Sequence, residues 1–481
     1  MVRMDYVVSQ QNYVNPASVI FAMITFITSA VGGTIILLSE NAGIYTSLFV
    51  LPFCYGLISF MALIYLGGNI LKSVVSVLIF GGYFIKMVLT PCLFALGGYE
   101  SFLGSCVTNQ GINKAIIYMC LETAVVLGLA AYLGKRAHKE QETKINFPQY
   151  NTKVFNFVVG LLFLFLITAY IAIPVISEIY IFLPFADFNE IAEIQWDNET
   201  IIARGSIKRY IYSLFCFIWP VFRIIMPSLM ITHFYKKYGM QTKGLICSFL
   251  CLILPAILLG GDNIAPFFGI FVGIIVINKL YKKKARTYLI VIGFVALILL
   301  GVVFASKVTL MSEWKGATGI SVIAQMFHNY FPGFDNYAVM FDMQQDNKST
   351  TLFFDLYYAI PFRETLFGLK GEYIQEIFLN YTKTGGQIVP FMGQLTYYVG
   401  PFALMLIVLV VRFAYSMEYK SRLSDNFWMY FICMYVSVYT AMALSTYSVS
   451  IYISGIVNVV LPVYIIIKLI EKKRGQQIGE K

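Results

Sequence analysis

Residues 19–38 read VIFAMITFITSAVGGTIILL, a run of twenty residues without a charged side chain. A helix of about 20 mostly apolar residues is long enough to cross the hydrocarbon core of a bilayer. Similar stretches recur along the chain as far as Val449–Ile467. The sequence therefore predicts an all-α polytopic membrane protein.

The overall composition supports the same class. Of 481 residues, 59% are hydrophobic and 12% are charged, and the mean hydropathy is +0.74. Soluble chains average about 45–50% apolar and about 25% charged residues. A water-soluble enzyme, a disordered chain and a disulfide scaffold are therefore excluded. Seven of the eight cysteines lie in apolar stretches, so no disulfide framework is implied.

Twelve stretches are predicted to span the membrane. They are Val19–Leu38, Tyr45–Leu66, Val74–Leu96, Ile112–Leu133, Val154–Ile176, Tyr210–Ile231, Leu245–Leu259, Ile264–Ile277, Tyr288–Ala305, Ile388–Phe413, Phe427–Ala443 and Val449–Ile467. The seventh and eighth are short and separated by residues 260–263. They form either two short spans or a re-entrant hairpin. The first stretch lacks a small-residue cleavage site and is predicted to remain as an anchor.

The distribution of charge predicts the orientation. With a cytoplasmic N-terminus, the inner segments carry a net charge of +16 and the outer segments −7. Lysine and arginine concentrate on the cytoplasmic side of membrane proteins. Both termini are therefore predicted to be cytoplasmic. The basic excess is a topology signal, and no nucleic-acid partner is predicted.

This topology divides the chain into three regions. Residues 1–305 hold the first nine spans and an acidic outer loop at 178–208, and residues 388–481 hold the last three spans and a basic cytoplasmic tail. Residues 306–387 form a large outer loop rich in Phe and Tyr. Within it, Leu352–Ile360 is predicted to be a helix in the membrane interface. Some of its aromatic side chains are alternatively expected to stack on sugar rings, and the two interpretations are compatible.

Common signatures of soluble enzymes are missing from the sequence. There is no Walker A loop, no HExxH or paired CxxC motif, no EF-hand loop, no Asp-x-Asp and no G-x-S-x-G. ATP as an energy source, metal-dependent catalysis and a serine hydrolase of the α/β type are therefore not supported. No cofactor and no metal site are predicted.

Four arginines are candidates for binding an anion. Arg204 and Arg209 precede the sixth span, Arg223 lies within it, and Arg363 lies in the large loop. An arginine at the centre of a span costs about 2.5–3.5 kcal/mol on insertion scales. Arg223 is therefore predicted to face a wet cavity, pair with an acid or reach the interface. Arg363 either pairs with an acid such as Glu364 or binds a phosphate through its two-pronged guanidinium.

One histidine and two aspartates are candidate proton acceptors. His328 is the only histidine on the predicted outer face. A histidine of near-neutral pKa can deprotonate a sugar hydroxyl, although a structural hydrogen bond is the alternative role. Asp335 follows the Pro332-Gly333 turn and competes for the same role. Asp262, in the turn between the seventh and eighth spans, is the third candidate, with a simple turn residue as the alternative.

The late part of the chain carries a series of short motifs. They are Tyr330-Phe331-Pro332-Gly333-Phe334-Asp335-Asn336, Ile360-Pro361-Phe362, Gly386-Gln387-Ile388-Val389-Pro390, Gly393-Gln394 and Tyr397-Tyr398-Val399-Gly400-Pro401. Their order resembles the oligosaccharide repeat-unit polymerases, the Wzy-type O-antigen and capsule polymerases. The resemblance extends from Tyr330 to Phe402, and elsewhere it is one of topology and composition.

The resemblance implies a reaction on the outer face of a bacterial cytoplasmic membrane. A sugar hydroxyl of the next lipid-linked repeat unit attacks the growing glycan, and undecaprenyl pyrophosphate leaves. The catalytic residues implied are His328, Asp335 and Arg363. The residues implied to bind pyrophosphate or glycan are Arg204, Arg209, Arg223, Tyr330 and Tyr337.

The implied partners follow from this reaction. They are the undecaprenyl-pyrophosphate-linked oligosaccharide and the lipid bilayer, with a chain-length regulator and the flippase of the same pathway as further candidates. The chain also departs from the family pattern. Some relatives carry a glycine eleven positions after an arginine in each of two outer loops, and neither Arg204 nor Arg363 has one.

Two other functions remain open at this point. A lipid-linked oligosaccharide flippase or another transporter would explain the ionisable residues Lys86, Glu122 and Arg223 within spans. The second half of the chain shows no evident repeat of the first, which counts against a transporter. A ligase that moves finished glycan to another acceptor has the same composition as a polymerase.

Overall fold

The computed structural model describes most of the chain. The described residues are 16–40, 42–66, 69–100, 103, 106–136, 152–179, 206–257, 264–282, 285, 288, 290, 319–343, 348–363, 367–369, 371–383 and 387–470. Within these ranges the secondary structure is helical and no β-strand occurs. The predicted all-α class is confirmed for this part of the chain.

The first half of the described chain contains ten α-helices. They are α1 (Pro16–Leu38), α2 (Val50–Leu66), α3 (Val74–Phe84), α4 (Thr90–Leu96), α5 (Asn109–Arg136), α6 (Thr152–Ala172), α7 (Pro174–Ile179), α8 (Ile207–Tyr238), α9 (Thr242–Ile257) and α10 (Ile264–Tyr281). A 3₁₀ segment, Gly43–Phe49, leads directly into α2. A π-helical turn, Ile85–Leu89, joins α3 to α4 so that the two form one continuous helical stretch.

The second half contains shorter helices followed by long ones. They are α11 (Ile320–Tyr330), α12 (Phe334–Asp342), α13 (Lys348–Tyr358), α14 (Ile374–Thr382), α15 (Phe391–Val399), α16 (Ala403–Leu423), α17 (Phe427–Thr446), α18 (Val449–Gly455) and α19 (Leu461–Ile470). A 3₁₀ turn at Gly400–Phe402 joins α15 to α16, and a π-helical turn at Ile456–Val460 joins α18 to α19.

Within the described residues, eight helical segments are long and apolar enough to cross a membrane. They are Val19–Leu38, Gly43–Leu66, Val74–Leu96, Asn109–Lys135, Ile207–Tyr238, Phe391–Leu423, Phe427–Thr446 and Val449–Leu469. Each overlaps a predicted span, although Phe391–Leu423 extends ten residues beyond the predicted end at Phe413. The chain is thus a multi-pass membrane protein by the length and composition of its helices.

The predicted fifth, seventh, eighth and ninth spans are not among these eight segments. The fifth is divided, because α6 ends at Ala172 and Pro174 begins α7. Proline lacks the N–H group that would continue the helical hydrogen bonds. The seventh and eighth correspond to shorter apolar helices, Thr242–Leu252 and Gly269–Tyr281. The ninth, at 288–305, lies outside the described residues except for positions 288 and 290.

One end of the helical bundle is rich in lysine. There the Glu418 carboxylate of α16 accepts hydrogen bonds from Ser73 Oγ at 2.7 Å and from the Val74 N–H at 2.9 Å, at the start of α3. A carboxylate is stabilised at a helix N-terminus, where free N–H groups collect. Arg422 donates to the same carboxylate at 2.6 Å. We call this the lysine-rich end, since Lys72, Lys135, Lys420 and Arg422 belong to these helix ends.

The opposite end is covered by the described part of residues 319–390, called the cap below. Gly97, just after α4, lies against Ser321 of α11, where a Cβ on residue 97 would come within 2.8 Å of Ser321 Cα. Asp342 at the end of α12 accepts hydrogen bonds from the N–H and the hydroxyl of Thr108, both at 2.9 Å. The described part of the predicted large loop is therefore built of helices, which pack on the ends of α4 and α5.

The cap contains one fully buried helix and one amphipathic helix. In α12, residues 334–340 are all buried. In α13, Leu352, Phe353 and Leu356 are 41–52% exposed, while Thr351 and Asp355 on the opposite face are buried. The helix predicted at 352–360 is confirmed as α13, which ends two residues earlier. Its exposed apolar face is typical of a helix that lies in a membrane interface.

Candidate functional site

The turn between α11 and α12 brings together two of the three predicted bases, His328 and Asp335, while Asp262 lies outside the described residues. His328 lies in the last turn of α11, and its ring packs edge-on against Phe334 at the start of α12, with the ring centroids 5.0 Å apart. A Cβ on Gly333 would lie 3.4 Å from His328 Cε1. This is an ordinary van der Waals distance, so residue 333 lies directly against the imidazole. Asp335, in the first turn of α12, is 1% exposed and belongs to the same corner.

The buried polar atoms of His328 and one of Asn336 have no hydrogen-bond partner among the described residues. His328 is 3% exposed, and neither of its ring nitrogens has a hydrogen-bond partner among the described residues. Asn336 is fully buried and its Oδ1 atom is likewise unpartnered there. Leaving a buried polar group unsatisfied costs about 1–3 kcal/mol. Such groups call for an explanation, and a bound polar ligand supplies one.

The protonation state of His328 defines what it can bind. Burial lowers the pKa of His328 to about 4, and the adjacent Asn336 side chain opposes this shift. The imidazole is therefore neutral at physiological pH. A neutral imidazole offers one N–H donor and one nitrogen acceptor. Together with Asn336 Oδ1, it matches a hydroxyl group, which both donates and accepts.

An amide network holds Asn336 in place. Its Nδ2 donates to the Ile388 carbonyl at 3.0 Å and to Gln387 Oε1 at 3.2 Å. Gln387 Nε2 in turn donates to Asn329 Oδ1 of α11. Gln375 of α14 donates to the Gln387 carbonyl at 2.5 Å and accepts from the Val389 N–H at 3.0 Å. The segment 387–389 thereby fixes the His328 corner to α14.

A second network is centred on Asp355 of α13. Its Oδ1 accepts the Ile374 N–H at 3.0 Å, and its Oδ2 accepts from Gln394 Nε2 at 2.5 Å and from the Tyr398 hydroxyl. Gln394 also donates to Ser450 Oγ at 2.6 Å. Burial raises the pKa of Asp355, while the hydrogen bonds from its donors oppose the rise. This network connects the cap to α15 and α18.

The third cluster is an arginine packed on aromatic rings. The guanidinium carbon of Arg363 lies 3.6 Å from the centroid of the Tyr358 ring, and Tyr358 stacks on Tyr373 with centroids 3.8 Å apart. Arg363 Nη1 donates to the Tyr358 carbonyl at 2.8 Å, while its Nε has no partner among the described residues. Glu364, the predicted salt-bridge partner, lies outside the described residues. Stacking of this kind is favourable and still leaves N–H donors available.

The residue before Arg363 has an unusual backbone. Phe362 adopts a φ of +57°, a left-handed conformation that bulky residues rarely occupy. Its ring packs against Phe217 of α8, with centroids 5.2 Å apart. Backbone strain of this kind concentrates at binding and catalytic sites. It directs the chain so that Arg363 folds back onto Tyr358.

Three consecutive residues connect the three clusters. Tyr373 stacks on the ring that carries Arg363, the Ile374 N–H binds Asp355, and Gln375 binds Gln387. All three residues lie at the start of α14. The histidine corner, the aspartate network and the arginine stack therefore form one continuous assembly across the cap.

The structure describes four of the five residues predicted to bind pyrophosphate or glycan. Tyr330 is half-buried at the end of α11, and Arg209 is half-buried in the first turn of α8. Arg204 lies outside the described residues. Tyr337 is fully buried, and its hydroxyl donates to Glu122 of α5, so its ring is covered by protein.

Arg223 lines a small cavity between α8, α9, α10 and α17. Its guanidinium carbon lies 5.5 Å from the Trp219 ring centroid, and Ser228, Gly269 and Phe431 line the same space. The cavity volume is about 10 Å³, close to what one water molecule occupies. Arg223 thus belongs to a different part of the bundle from the His328 corner.

Four residues of the short sequence motifs belong to the buried networks, although the motifs assigned them no role. Asn336, Gln387, Gln394 and Tyr398 all fall in the short motifs, and the structure makes them the members of two buried networks. Asp355 was not singled out at all. The available signal was its position as the one acid in an otherwise aromatic and apolar stretch, residues 352–358.

Comparison with models of known protein families, with curated proteins and with solved structures finds no match to this chain.

Proposed function

We propose that this chain is a membrane glycosyltransferase that polymerises undecaprenyl-pyrophosphate-linked oligosaccharide repeat units into O-antigen, capsule or exopolysaccharide. The observation that carries the proposal is the buried corner at His328 and Asn336, where polar atoms without a partner in the described part of the chain match a hydroxyl. This corner lies in the segment whose motifs resemble repeat-unit polymerases. Its position in the cap, next to the ends of apolar helices, suits a substrate with a lipid tail and a polar glycan.

In the proposed reaction, a hydroxyl of the incoming repeat unit binds at His328 and Asn336. The hydroxyl oxygen forms the new bond to the anomeric carbon of the growing glycan as the bond from that carbon to pyrophosphate breaks. The hydroxyl proton passes to His328 Nδ1 or Nε2, with Asp335 as the competing acceptor, and the electron pair leaves with undecaprenyl pyrophosphate. A neutral imidazole is in the protonation state that general-base catalysis requires.

The leaving group requires stabilisation of negative charge. Arg363 is the proposed residue, since its guanidinium is held by stacking on Tyr358 and retains donors for phosphate oxygens. Pre-positioned donors of this type are among the largest contributions to catalysis. The resemblance assigns Arg204, Arg209, Arg223 and Tyr330 to pyrophosphate or glycan binding. It assigns Tyr337 there as well, but that ring is covered by protein and is given no binding role in this proposal.

The proposal includes a full topology of twelve spans with both termini in the cytoplasm. The cap then lies on the outer face and the lysine-rich end in the cytoplasm, in agreement with the distribution of basic residues. The membrane is the bacterial cytoplasmic membrane. The substrate is the lipid-linked oligosaccharide, and the flippase and chain-length regulator of the same pathway are proposed neighbours.

The deciding experiment is deletion of the gene, followed by separation of surface glycan and lipid-linked intermediates by size. We expect single repeat units on the surface and no long chains. Complementation with the wild-type gene should restore long chains, and His328→Gln should not. Long surface glycan in the deletion strain would contradict the proposal.

A second candidate function is supported by one specific observation. The ion pair between Lys86 and Glu122 is buried within spans, as is common in transporters. For a flippase, the same deletion should trap repeat units on the cytoplasmic side. A ligase is distinguished because long lipid-linked chains should accumulate without transfer.

A further inference from the structure

A buried ion pair lies at the middle of two spans. Lys86 Nζ is 3.3 Å from Glu122 Oε1 and 3.4 Å from Oε2, and the two side chains are 1% and 0% exposed. Glu122 lies halfway along α5, and Lys86 lies in the π-helical turn between α3 and α4. Charged residues at this depth are expensive and are therefore functional candidates.

Two tyrosines, one from a span and one from the cap, form hydrogen bonds with this ion pair. Tyr83, one turn before Lys86, donates its hydroxyl to Glu122 Oε1 at 2.5 Å. Tyr337 donates to Glu122 Oε2 and accepts from Lys86 Nζ at 3.1 Å. Tyr83 belongs to a span, whereas Tyr337 belongs to α12 of the cap. The cluster therefore joins the cap to the membrane-spanning core.

Tyr337 is the deepest of three contacts that seat α12 on α5. Phe341, one turn further on, packs against Tyr118 with ring centroids 4.9 Å apart. Asp342 accepts from Thr108 just before α5. Residues four apart lie on the same face of a helix, so Tyr337 and Phe341 together define which face of α12 meets α5. The helix can rotate or shift only if these contacts change.

The position of α12 controls the candidate site directly. Asn336 immediately precedes Tyr337, and Phe334 at the start of the same helix packs on His328. A rotation of α12 would move Asn336 Oδ1 away from the imidazole. A misplacement of about 1 Å can cost about 100-fold in rate, even when its cause is remote from the chemistry.

We propose that the Lys86–Glu122 pair is a positioning element that acts through Tyr337 and sets the depth and rotation of α12 at the His328–Asn336 corner. The inference rests on the proposed function for its catalytic consequence. Lys86 and Glu122 are positioning residues that act through Tyr337 of α12, and Tyr337 is a positioning residue because its hydroxyl bonds this pair and not the proposed reacting atoms. A buried ion pair is in general weak evidence for stability, which leaves room for a role in specifying geometry.

The chain offers a matched comparison for testing this. Tyr337→Phe and Tyr83→Phe each remove one hydroxyl donor from the same carboxylate and leave both charges in place. Only Tyr337 lies on the helix that carries Asn336. A third variant, Tyr415→Phe, removes a buried hydroxyl that bonds Ser76 at 2.7 Å at the lysine-rich end, and it controls for general loss of packing.

The experiment uses the full chain in lipid nanodiscs. Hydrogen–deuterium exchange is followed for residues 334–342, and turnover is measured with lipid-linked repeat units. For Tyr337→Phe we expect faster exchange in 334–342 and a kcat reduced tenfold or more, with KM for the lipid-linked donor changed less than twofold. The KM is expected to persist because Arg363 lies outside α12. Tyr83→Phe should keep at least half of the turnover, and Tyr415→Phe should match the wild type in both measurements.

The results distinguish failure of the positioning role from failure of the proposed function. Equal effects of Tyr337→Phe and Tyr83→Phe on exchange and turnover would overturn the positioning role and indicate a purely structural cluster. Faster exchange in 334–342 with unchanged turnover would do the same. If the wild-type protein elongates no glycan, the proposed function fails, and the exchange contrast between the variants alone then decides whether the ion pair positions α12.

Discussion

The chemistry proposed for His328 depends on its being buried as a neutral ring. Water normally solvates a histidine on an outer loop, and such a ring titrates near pH 6.5. Here the contacts with Phe334 and the approach of Gly333 exclude solvent and disfavour the charged form. The consequence can be measured as a dependence of stability on pH.

Acidification should destabilise the folded protein through this residue. The folded-state pKa of about 4 is below the unfolded value, so the unfolded chain binds the proton first as the pH falls. The contribution is complete above pH ~6.5 and is lost as the pH falls toward 4, about 3 kcal/mol in total. Thermal unfolding in detergent at pH 7 and pH 4.5 should show this loss.

The matched variants separate His328 from the other titrating groups. His328→Gln should reduce the difference in midpoint between pH 7 and pH 4.5. His233→Gln changes an exposed histidine on α8 and should leave that difference as it is in the wild type. A pH dependence that His328→Gln does not alter would remove the argument for a buried neutral ring.

The proposed role of Arg363 can be tested by replacing it with lysine, the other long cationic side chain. Arg363→Lys keeps the charge but loses the planar group that stacks on Tyr358 and binds phosphate with two parallel hydrogen bonds. We expect turnover to fall by roughly 100–1,000-fold, the range of a lost charge-stabilising donor, with a normal amount of protein in the membrane. Glycan elongation and membrane content are measured side by side.

The control for that variant is Arg412→Lys, because Arg412 is exposed on α16. It should retain wild-type turnover. Wild-type activity of Arg363→Lys would mean that its guanidinium geometry is not used, and the pyrophosphate would need another binding residue.

At the scale of elements, α13 is held to the spans by one carboxylate. Asp355 is the only acid of that helix, and it collects donors from α14 and α15. The helix presents Phe353 and Leu356 on its other face. The element therefore has a polar side that binds the protein and an apolar side suited to lipid.

Asp355→Asn should loosen this attachment. The amide replaces an accepting oxygen with an N–H₂ group that faces the donors of Gln394 and Tyr398. A buried hydrogen-bond mismatch of this kind costs about 1–3 kcal/mol. A lower thermal midpoint and faster proteolysis within Lys348–Tyr358 are expected.

The control for Asp355→Asn is Asp425→Asn, which makes the same substitution at an exposed position between α16 and α17. It should shift the midpoint by less than one third of the shift for Asp355→Asn. Equal midpoints for Asp355→Asn and the wild type would show that the network contributes nothing to holding α13.

The elements of the cap differ in how far they could be predicted. The apolar and aromatic run at 352–360 identified α13, because a helix in the interface has a recognisable pattern. Helices α11, α12 and α14 span only 9–11 residues and are too short to give a spanning signal. Their partners are remote in sequence, so their packing could not be inferred from local pattern.

At the scale of the whole molecule, the two ends differ in charge and in covering. The lysine-rich end is formed by helix termini around Glu418, and the opposite end is covered by the cap. The proposed topology assigns the first to the cytoplasm and the second to the outer face.

Cysteine labelling in the full chain tests this orientation. In a background with the eight native cysteines replaced, Lys348→Cys and Lys420→Cys place thiols at exposed positions of α13 and α16. A membrane-impermeant maleimide should label position 348 in intact cells and position 420 only after permeabilisation. The reverse pattern would invert the topology and exclude an outer-face site in the cap.

The sequence by itself determined the class of this protein and most of its spans. Length and hydropathy are local properties, and a helix must satisfy its own backbone hydrogen bonds in lipid, so apolar stretches such as 19–38 predict spans without knowledge of the fold. It also identified the segment that carries His328 and Arg363.

Only the tertiary structure decided which residues act together. The contact of His328 with Phe334, and of Tyr337 with Lys86 and Glu122, joins positions as far as 251 residues apart. Such contacts depend on how helices pack, which neither hydropathy nor short motifs encode. Burial then changes the chemistry of the same side chains, because a group removed from water loses the solvation that favours its charged form.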